Sequence, residues 1–288
     1  MWLDCDPGHD DAMAIILAGH TPARNNLLGV STVYGNQTLE KVTLNAARQL
    51  HALNDRGAHV HVFAGSPSPL VREAKNAPEI HGESGLGGTE RLPAKEDLDA
   101  SLVSSEKAVT AMWTEISAVY ATSGKRMHVV ATGPLTNVAL LLKLYPEVAE
   151  RIERFAAWLL HHVHGRRHGV GNTGPCAEFN IQNDPEAAKI VCDSGLKVVM
   201  VPLEVTHTAL VTDAVLASIR TRLRYCTSES RFFFPWTYQI KTGQPDPPLH
   251  DPCAVAAVLW PELFRLELLR VDVECASPLS FGQARHKS

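Results

Sequence analysis

Short apolar runs alternate with amphipathic helical patterns along most of the chain. The runs of strand length are MWLDC, LLGVSTVY, HVHVFA, MHVVAT, FAAWLL and LKVVMVPL, and the helical patterns among them are DDAMAIILA, LEKVTLNAARQLHAL, PLTNVALLLKL and DPEAAKIVCDS. Such alternation is typical of βα units around a mostly parallel sheet. The pattern predicts a single α/β domain over residues 1–288, with a Rossmann-like central sheet flanked by helices.

Two long stretches show neither the apolar runs of strands nor the periodicity of helices. Residues 65–105 are rich in Pro and Gly, and residues 161–180 hold four His and four Gly. We predict irregular structure in both. Loops of this length inside a compact α/β domain usually serve function, and ligands of such sheets bind beyond the carboxyl ends of the strands.

Composition narrows the class of partner. The net charge of -4 over 288 residues gives no electrostatic attraction to nucleic acid or to an anionic membrane, and no apolar stretch is long enough to span a bilayer. The six cysteines contain no CxxC pair, which fits a reducing compartment. We therefore expect a cytoplasmic protein with a small-molecule substrate and with no nucleic-acid or membrane partner.

Acidic residues are concentrated where the first predicted strand ends. Asp4, Asp6, Asp10 and Asp11 place four carboxylates within eight residues. So much negative charge is unfavourable unless a cation neutralises it, and hard oxygen ligands suit Ca²⁺ or Mg²⁺. A solvated turn, with Asp10 and Asp11 stabilising the start of the next helix, is the simpler interpretation. It leaves Asp4 and Asp6 in the apolar strand unexplained, so we predict a metal site.

Two other acidic motifs, the EF-hand loop and the phosphatase DxD motif, also begin with closely spaced carboxylates. An EF-hand loop counted from Asp4 requires Gly and Glu where the chain has His9 and Ile15, so that interpretation fails. The Mg²⁺-dependent phosphatases related to haloacid dehalogenase also begin with DxD after a first strand. That alternative stays open, although no lysine-bearing strand end followed by a late acidic pair is evident.

The segment DCDPGHDDAMAI resembles the signature of the inosine-uridine-preferring nucleoside hydrolase family. Five further segments match in the same order: VYGN at 33–36, HGESGLGG at 81–88, ATGPLTN at 131–137, GNTGPCAEFN at 171–180 and HDP at 250–252. The resemblance implies the nucleoside hydrolase fold. It also implies hydrolysis of the N-glycosidic bond of ribonucleosides, uridine or inosine, to ribose and free base.

The resemblance further implies a Ca²⁺ cofactor, held by Asp6, Asp11, the main-chain carbonyl of Thr132 and Asp251. Glycoside cleavage passes through an oxocarbenium-like transition state and needs an activated water. A cation lowers the pKa of that water, and Asp6 would take its proton as general base. This assignment requires Asp251 to lie beside Asp6 and Asp11 in the folded chain.

Substrate contacts are implied in the same way. The residues expected to hydrogen-bond the ribose hydroxyls are Asp10, Asn36, Asn172, Glu178 and Asn180. Taken singly, loop asparagines more often form Asx turns. On the base side, His250 is expected to assist the leaving base, with His81 as a second candidate, and Phe234 and Tyr238 are expected to stack on the base. Preference for purine or pyrimidine stays open, with uridine slightly favoured.

The chain departs from the family pattern in two segments. His161, His162 and His164 stand where the family usually has Met-Gly-Gly, and the C-terminal SPLSFGQARHKS appears short or divergent. A non-catalytic nucleoside-binding or ribose-binding protein is therefore a second hypothesis. The formal GxGxxG at 169–174 is followed by Pro175 instead of a helix, which excludes a dinucleotide site. The resemblance also implies a homodimer or homotetramer.

Overall fold

The computed structural model describes residues 1–21, 23–54, 60–87, 92–157, 172–173, 177–222 and 246–287. Its strands are β1 (Trp2–Cys5), β2 (Gly29–Thr32), β3 (Val62–Ala64), β4 (Val103–Ser104), β5 (Met127–Ala131), β6 (Ile152–Ala157), β7 (Val198–Met200), β8 (Arg270–Val273) and β9 (Ala284–Lys287). Its α-helices are α1 (His9–Gly19), α2 (Leu39–Asn54), α3 (Pro78–His81), α4 (Ala108–Ser123), α5 (Thr136–Leu144), α6 (Phe179–Asn183), α7 (Pro185–Cys192), α8 (Leu203–Thr206), α9 (Asp213–Arg222) and α10 (Asp251–Leu259). Short 3-10 turns cover Lys95–Asp97, Ala100–Leu102, Pro146–Arg151 and Pro261–Leu263.

The central sheet has seven strands in the order β4-β3-β2-β1-β5-β6-β7, and all its neighbours pair in parallel. The order reverses at β1, whose residue Asp4 pairs with Ser31 of β2 on one side and Ala131 of β5 on the other. The loops after β1 and β5 therefore leave toward opposite faces. This reversal opens a crevice at the carboxyl ends of the two strands, which is where open α/β sheets bind ligands.

Strand β1 is buried on both faces because helices cover the sheet on each side. Leu3 and Cys5 join the core cluster that includes residues of α1, α2 and α10. Trp2 faces the other cluster, formed with α4, α5 and α7, and its indole Nε1 donates to Ser31 Oγ at 2.8 Å. These two apolar layers fix the strand end that carries the acids.

The predicted α/β class and parallel sheet are confirmed, and the predicted strands and helices form within a few residues of the expected positions. Residues 65–105 differ from the prediction, since they include the edge strand β4 and the short helix α3. Two residues are too few to show strand alternation, and β4 is held by pairing with β3. Helices α4 and α10 and the antiparallel hairpin β8–β9 were not predicted.

None of the helices in the described ranges combines the length and the apolar character needed to cross a membrane.

Candidate active site

The acidic residues meet at the carboxyl end of β1. Asp6 follows the strand, Asp10 and Asp11 lie in the first turn of α1, and Asp251 is the first residue of α10. Helix α10 packs against α1. Carboxylate oxygens of Asp10, Asp11 and Asp251 all lie within 4.8 Å of one another. The expectation that Asp251 lies beside the N-terminal acids is therefore confirmed by the folded chain.

Asp11 is fixed by four hydrogen bonds. Its Oδ1 accepts from the Thr132 hydroxyl at 2.7 Å and from the Asp6 amide at 3.3 Å. Its Oδ2 accepts from the Gly8 amide at 3.0 Å and from Asn36 Nδ2 at 3.1 Å. The carboxylate thus joins the ends of β1, β2 and β5, and its orientation is set before any ligand binds.

Asp6 lies in a cradle of glycine backbone. Its Oδ2 accepts from the Asn36 amide at 2.8 Å. A methyl group on Gly35 would overlap Oδ2, and one on Gly133 would come within 2.8 Å of Oδ1. The glycines of VYGN and ATGPLTN therefore leave the space in which the Asp6 carboxylate lies.

Several of these oxygens have no hydrogen-bond partner. Within the described ranges this holds for one buried oxygen each of Asp6, Asp10 and Asp251. Burial raises the pKa of all three carboxyls, and the charge of neighbouring acids raises the pKa of Asp6 and Asp251 further. Convergent carboxylates with unused lone pairs are the donor set that a hard divalent cation prefers. The residues present therefore fit such an ion.

Asp4 is one of the four crowded acids, but the family resemblance assigns it neither to the metal nor to the substrate. Its Oδ1 accepts from Asn137 Nδ2 at 2.8 Å and from the Ser31 hydroxyl. Burial raises its pKa to about 7. Asn137 in turn accepts from the Ser66 amide at 2.8 Å. This chain of contacts ties the ends of β1, β2 and β3 to α5 beneath the acidic cluster.

Of the residues predicted to contact ribose, Asn180 and Glu178 are buried close to the acids. Asn180 Nδ2 donates to the Thr132 carbonyl at 2.7 Å, and its Oδ1 has no partner within the described chain. Glu178 accepts from the Asn180 and Ile181 amides at 2.8 and 3.0 Å and so caps α6. Burial raises the pKa of Glu178 to about 7. Asn180 therefore keeps an oxygen without a partner among the described residues, whereas each oxygen of Glu178 accepts a backbone amide.

Asn172 lies in a different environment, because it is exposed and its Oδ1 accepts from the Phe179 amide at 2.9 Å. That contact joins residues seven positions apart, so it is not the Asx turn expected of a loop asparagine. Phe234, Tyr238 and residues 161–168 lie outside the described residues.

The two predicted histidines both lie close to the acids, His81 near Gly8 and Asp11 and His250 beside Asp251. His250 directly precedes Asp251, and burial followed by the charge of His207 lowers its pKa to about 3, so the ring is neutral. His81 ends α3, and its ring stacks on His9 with centroids 5.7 Å apart. His9, whose Nε2 contacts the Gly87 carbonyl at 3.1 Å, and His207 were not predicted. His9 adjoins Asp10 in sequence and could have been found from that position, whereas only the fold brings His207 beside His250, with ring centroids 5.6 Å apart.

Comparison with known proteins gives a consistent result. The sequence model of the family described as inosine-uridine preferring nucleoside hydrolase matches residues 1–288. A probable ribonucleoside hydrolase of Dictyostelium discoideum is 40% identical over 98% of this chain and 84% of its own length. A pyrimidine-specific ribonucleoside hydrolase of Shewanella baltica is 42% identical over 97% of this chain and 84% of its own length.

Two solved structures share the fold. A purine-preferring ribonucleoside hydrolase from Gardnerella vaginalis superposes with a TM-score of 0.82 at 27% identity, covering 99% of this chain and 87% of that one. A plant nucleoside hydrolase superposes with a TM-score of 0.80, also at 27% identity, covering 99% of this chain and 86% of that one. The similarity therefore extends over almost all of the chain in both sequence and structure.

Proposed function

The chain belongs to the inosine-uridine preferring nucleoside hydrolase family, and from that premise we propose that it hydrolyses the N-glycosidic bond of ribonucleosides to ribose and free base. One observation carries the proposal. Buried carboxylates from both ends of the chain, Asp10 and Asp11 near its start and Asp251 near its end, lie within 4.8 Å of one another at the switch point of the sheet.

We propose Ca²⁺ as the cofactor, with Asp6, Asp11, Asp251 and the Thr132 carbonyl as its ligands. The buried oxygens of Asp6 and Asp251 that lack partners in the described ranges support this choice. Asp10 belongs to the same group of oxygens, which supports a proposed ribose contact beside the cation. When bound, the cation supplies positive charge that neutralises the carboxylates and lowers the pKa of a water molecule.

Side chains of the protein are proposed to activate the water and to bind the ribose. Asp6, buried between Gly35 and Gly133, is proposed to take the proton from the attacking water. Asp10, Asn36, Asn180 and Glu178 are proposed to bind the ribose hydroxyls. Buried amides and acids bind a diol well and disfavour a deoxyribose, because a missing hydroxyl leaves them without a partner.

The leaving base is proposed to meet His250, with His81 as a second contact. Neutral imidazole suits hydrogen bonding to a base that gains electron density as the glycosidic bond breaks. Asn172, Phe234 and Tyr238 keep the substrate-binding roles that the resemblance gives them. Relatives named pyrimidine-specific and purine-preferring both match this chain, so we propose uridine and inosine as the substrates to test.

The direct test is ribose release. The protein is incubated with uridine or inosine and Ca²⁺, and reducing sugar is assayed, with a chelator-treated sample as control. We expect release that depends on the cation. Tight nucleoside binding without release would instead support the non-catalytic binding protein. Hydrolysis of p-nitrophenyl phosphate without ribose release would support the phosphatase alternative.

A cytoplasmic location and assembly into homodimers or homotetramers remain predictions. Size-exclusion chromatography with light scattering tests the assembly.

A further inference from the structure

Thr206 is a buried hydroxyl beside the base-side histidine. It ends helix α8, and His250 immediately precedes α10. Backbone pairing brings these two places together, because Leu249 N donates to Ala209 O at 2.8 Å and Val211 N donates to Pro247 O at 2.9 Å. The approach of Thr206 to His250 is therefore set by the fold.

The contact between the two side chains is specific. Thr206 Oγ1 lies 2.9 Å from His250 Nδ1 and 3.2 Å from the carbonyl of Leu203. That carbonyl also accepts from the His207 amide at 2.8 Å, so it has a partner whichever way the hydroxyl turns. A hydroxyl can donate to Nδ1 or accept from it, and a hydrogen bond between buried groups is stronger than one in water.

A hydrogen bond at one ring nitrogen of a histidine determines which nitrogen serves other partners. We propose that Thr206 is a positioning residue: its hydroxyl donates to Nδ1 of the His250 imidazole, so that the ring proton lies on Nε2 and Nε2 donates to the departing base. This inference rests on the proposed function and deepens it. It assigns Thr206 no contact with substrate, so its effect must appear only in steps that use His250.

The leaving group provides the test. Uridine and inosine release a base that needs a hydrogen-bond donor, whereas p-nitrophenyl β-D-ribofuranoside releases a stable phenolate that does not. For Thr206→Val we expect kcat on both nucleosides to fall at least about 10-fold. We expect KM to change little, and kcat on the aryl riboside to change less than about twofold. Thr206→Ser keeps the hydroxyl and should restore nucleoside hydrolysis.

Thr208 offers a matched control. Its hydroxyl lies 2.7 Å from the Val205 carbonyl and makes the same kind of contact with its own helix as Thr206 makes with Leu203, but Thr208 is exposed. Thr208→Val should leave kcat unchanged on the nucleosides and on the aryl riboside.

If Thr206→Val lowers kcat equally on the nucleosides and on the aryl riboside, the role of Thr206 is merely structural. If kcat on the nucleosides does not change, Thr206 has no role in hydrolysis. Either result overturns the inference while the proposed function stands. If the wild-type protein releases ribose from neither nucleoside, the proposed function fails first.

Discussion

The buried carboxylate of Asp184 and those of the acidic cluster at the end of β1 differ in how many hydrogen-bond donors their oxygens find. Asp184, at the junction of α6 and α7, accepts from Thr136 Oγ1 at 2.7 Å, Leu70 N at 2.9 Å and Ala187 N at 3.0 Å. In the acidic cluster at the end of β1, Asp6, Asp10 and Asp251 each keep a buried oxygen without a partner among the described residues. Burial raises the pKa of the acids in both places.

The comparison teaches that burial of an acid does not by itself indicate a functional site. At Asp184 the chain supplies its own donors, so the carboxylate caps α7 and links it to α5 and to the loop after β3. At the end of β1 the described part of the chain supplies too few donors for the oxygens present, and we expect protons or a cation to neutralise the remaining charge. Four predictions separate the two cases.

The largest effect is expected at Asp6. Asp6→Ala removes the proposed base, and ribose release from uridine and inosine should fall at least about 100-fold. Reducing-sugar assays measure this loss. Asp193→Asn changes an exposed acid that directly follows α7 and pairs with Lys189, and it should leave the rate unchanged. Activity of Asp6→Ala within tenfold of wild type would exclude Asp6 as the base.

The same substitution should have opposite effects on stability in the two groups. Asp184→Asn turns an amide toward backbone donors and should lower the free energy of unfolding by about 2 kcal/mol. Asp251→Asn removes one of several repelling charges, so in chelator it should raise that free energy by about 1 kcal/mol. Urea unfolding followed by circular dichroism measures both. If Asp251→Asn lowers the free energy of unfolding as much as Asp184→Asn does, the two acids do not differ in the way predicted.

Protons and the cation should compete for the cluster. Acids with a raised folded-state pKa bind more protons when folded, so without a cation stability should fall as pH rises from about 4 through about 7. The pKa values of Asp4 and Glu178, each near 7, mark the upper part of this window. Ca²⁺ at about 100 times its Kd should raise the free energy of unfolding by about 2.7 kcal/mol. Because the carboxylates must lose their protons to bind the cation, this stabilisation should be larger at about pH 8 than at about pH 5.

Differential scanning fluorimetry with and without Ca²⁺ at each pH checks this expectation. A Ca²⁺-induced rise in Tm that is larger at pH 5 would reverse the predicted linkage.

The smallest effect concerns an acid that already has a cationic partner. Arg72 donates to both carboxylate oxygens of Glu186 at 2.8 and 3.0 Å and to the Cys275 carbonyl at 2.6 Å. The ion pair is partly exposed, so Arg72→Met should cost about 1 kcal/mol or less. Urea unfolding at low and high salt measures this, and the difference between variant and wild type should shrink at high salt. A cost above about 3 kcal/mol would show that the pair behaves like the buried Asp184.

Local patterns in the sequence were sufficient for part of this description. The alternation of apolar runs and helical patterns predicts the parallel sheet, because both periodicities are properties of short segments. Asp4, Asp6, Asp10 and Asp11 indicate a cation site because they crowd one strand end. Strand β4 is too short to carry a pattern, and strand β8 of the hairpin β8–β9 packs against α7, which is distant from it in sequence.

By itself, then, the sequence determined the class of fold, the acid-rich strand end and, through resemblance to a family, the residues of the proposed site. Tertiary structure alone decided that Asp251 joins Asp10 and Asp11, that Asn172 is exposed and that Thr206 holds His250. The physical reason is the distance in sequence. Periodicity and turn chemistry act over a few residues, whereas these contacts join segments that meet only when the sheet and its covering helices pack.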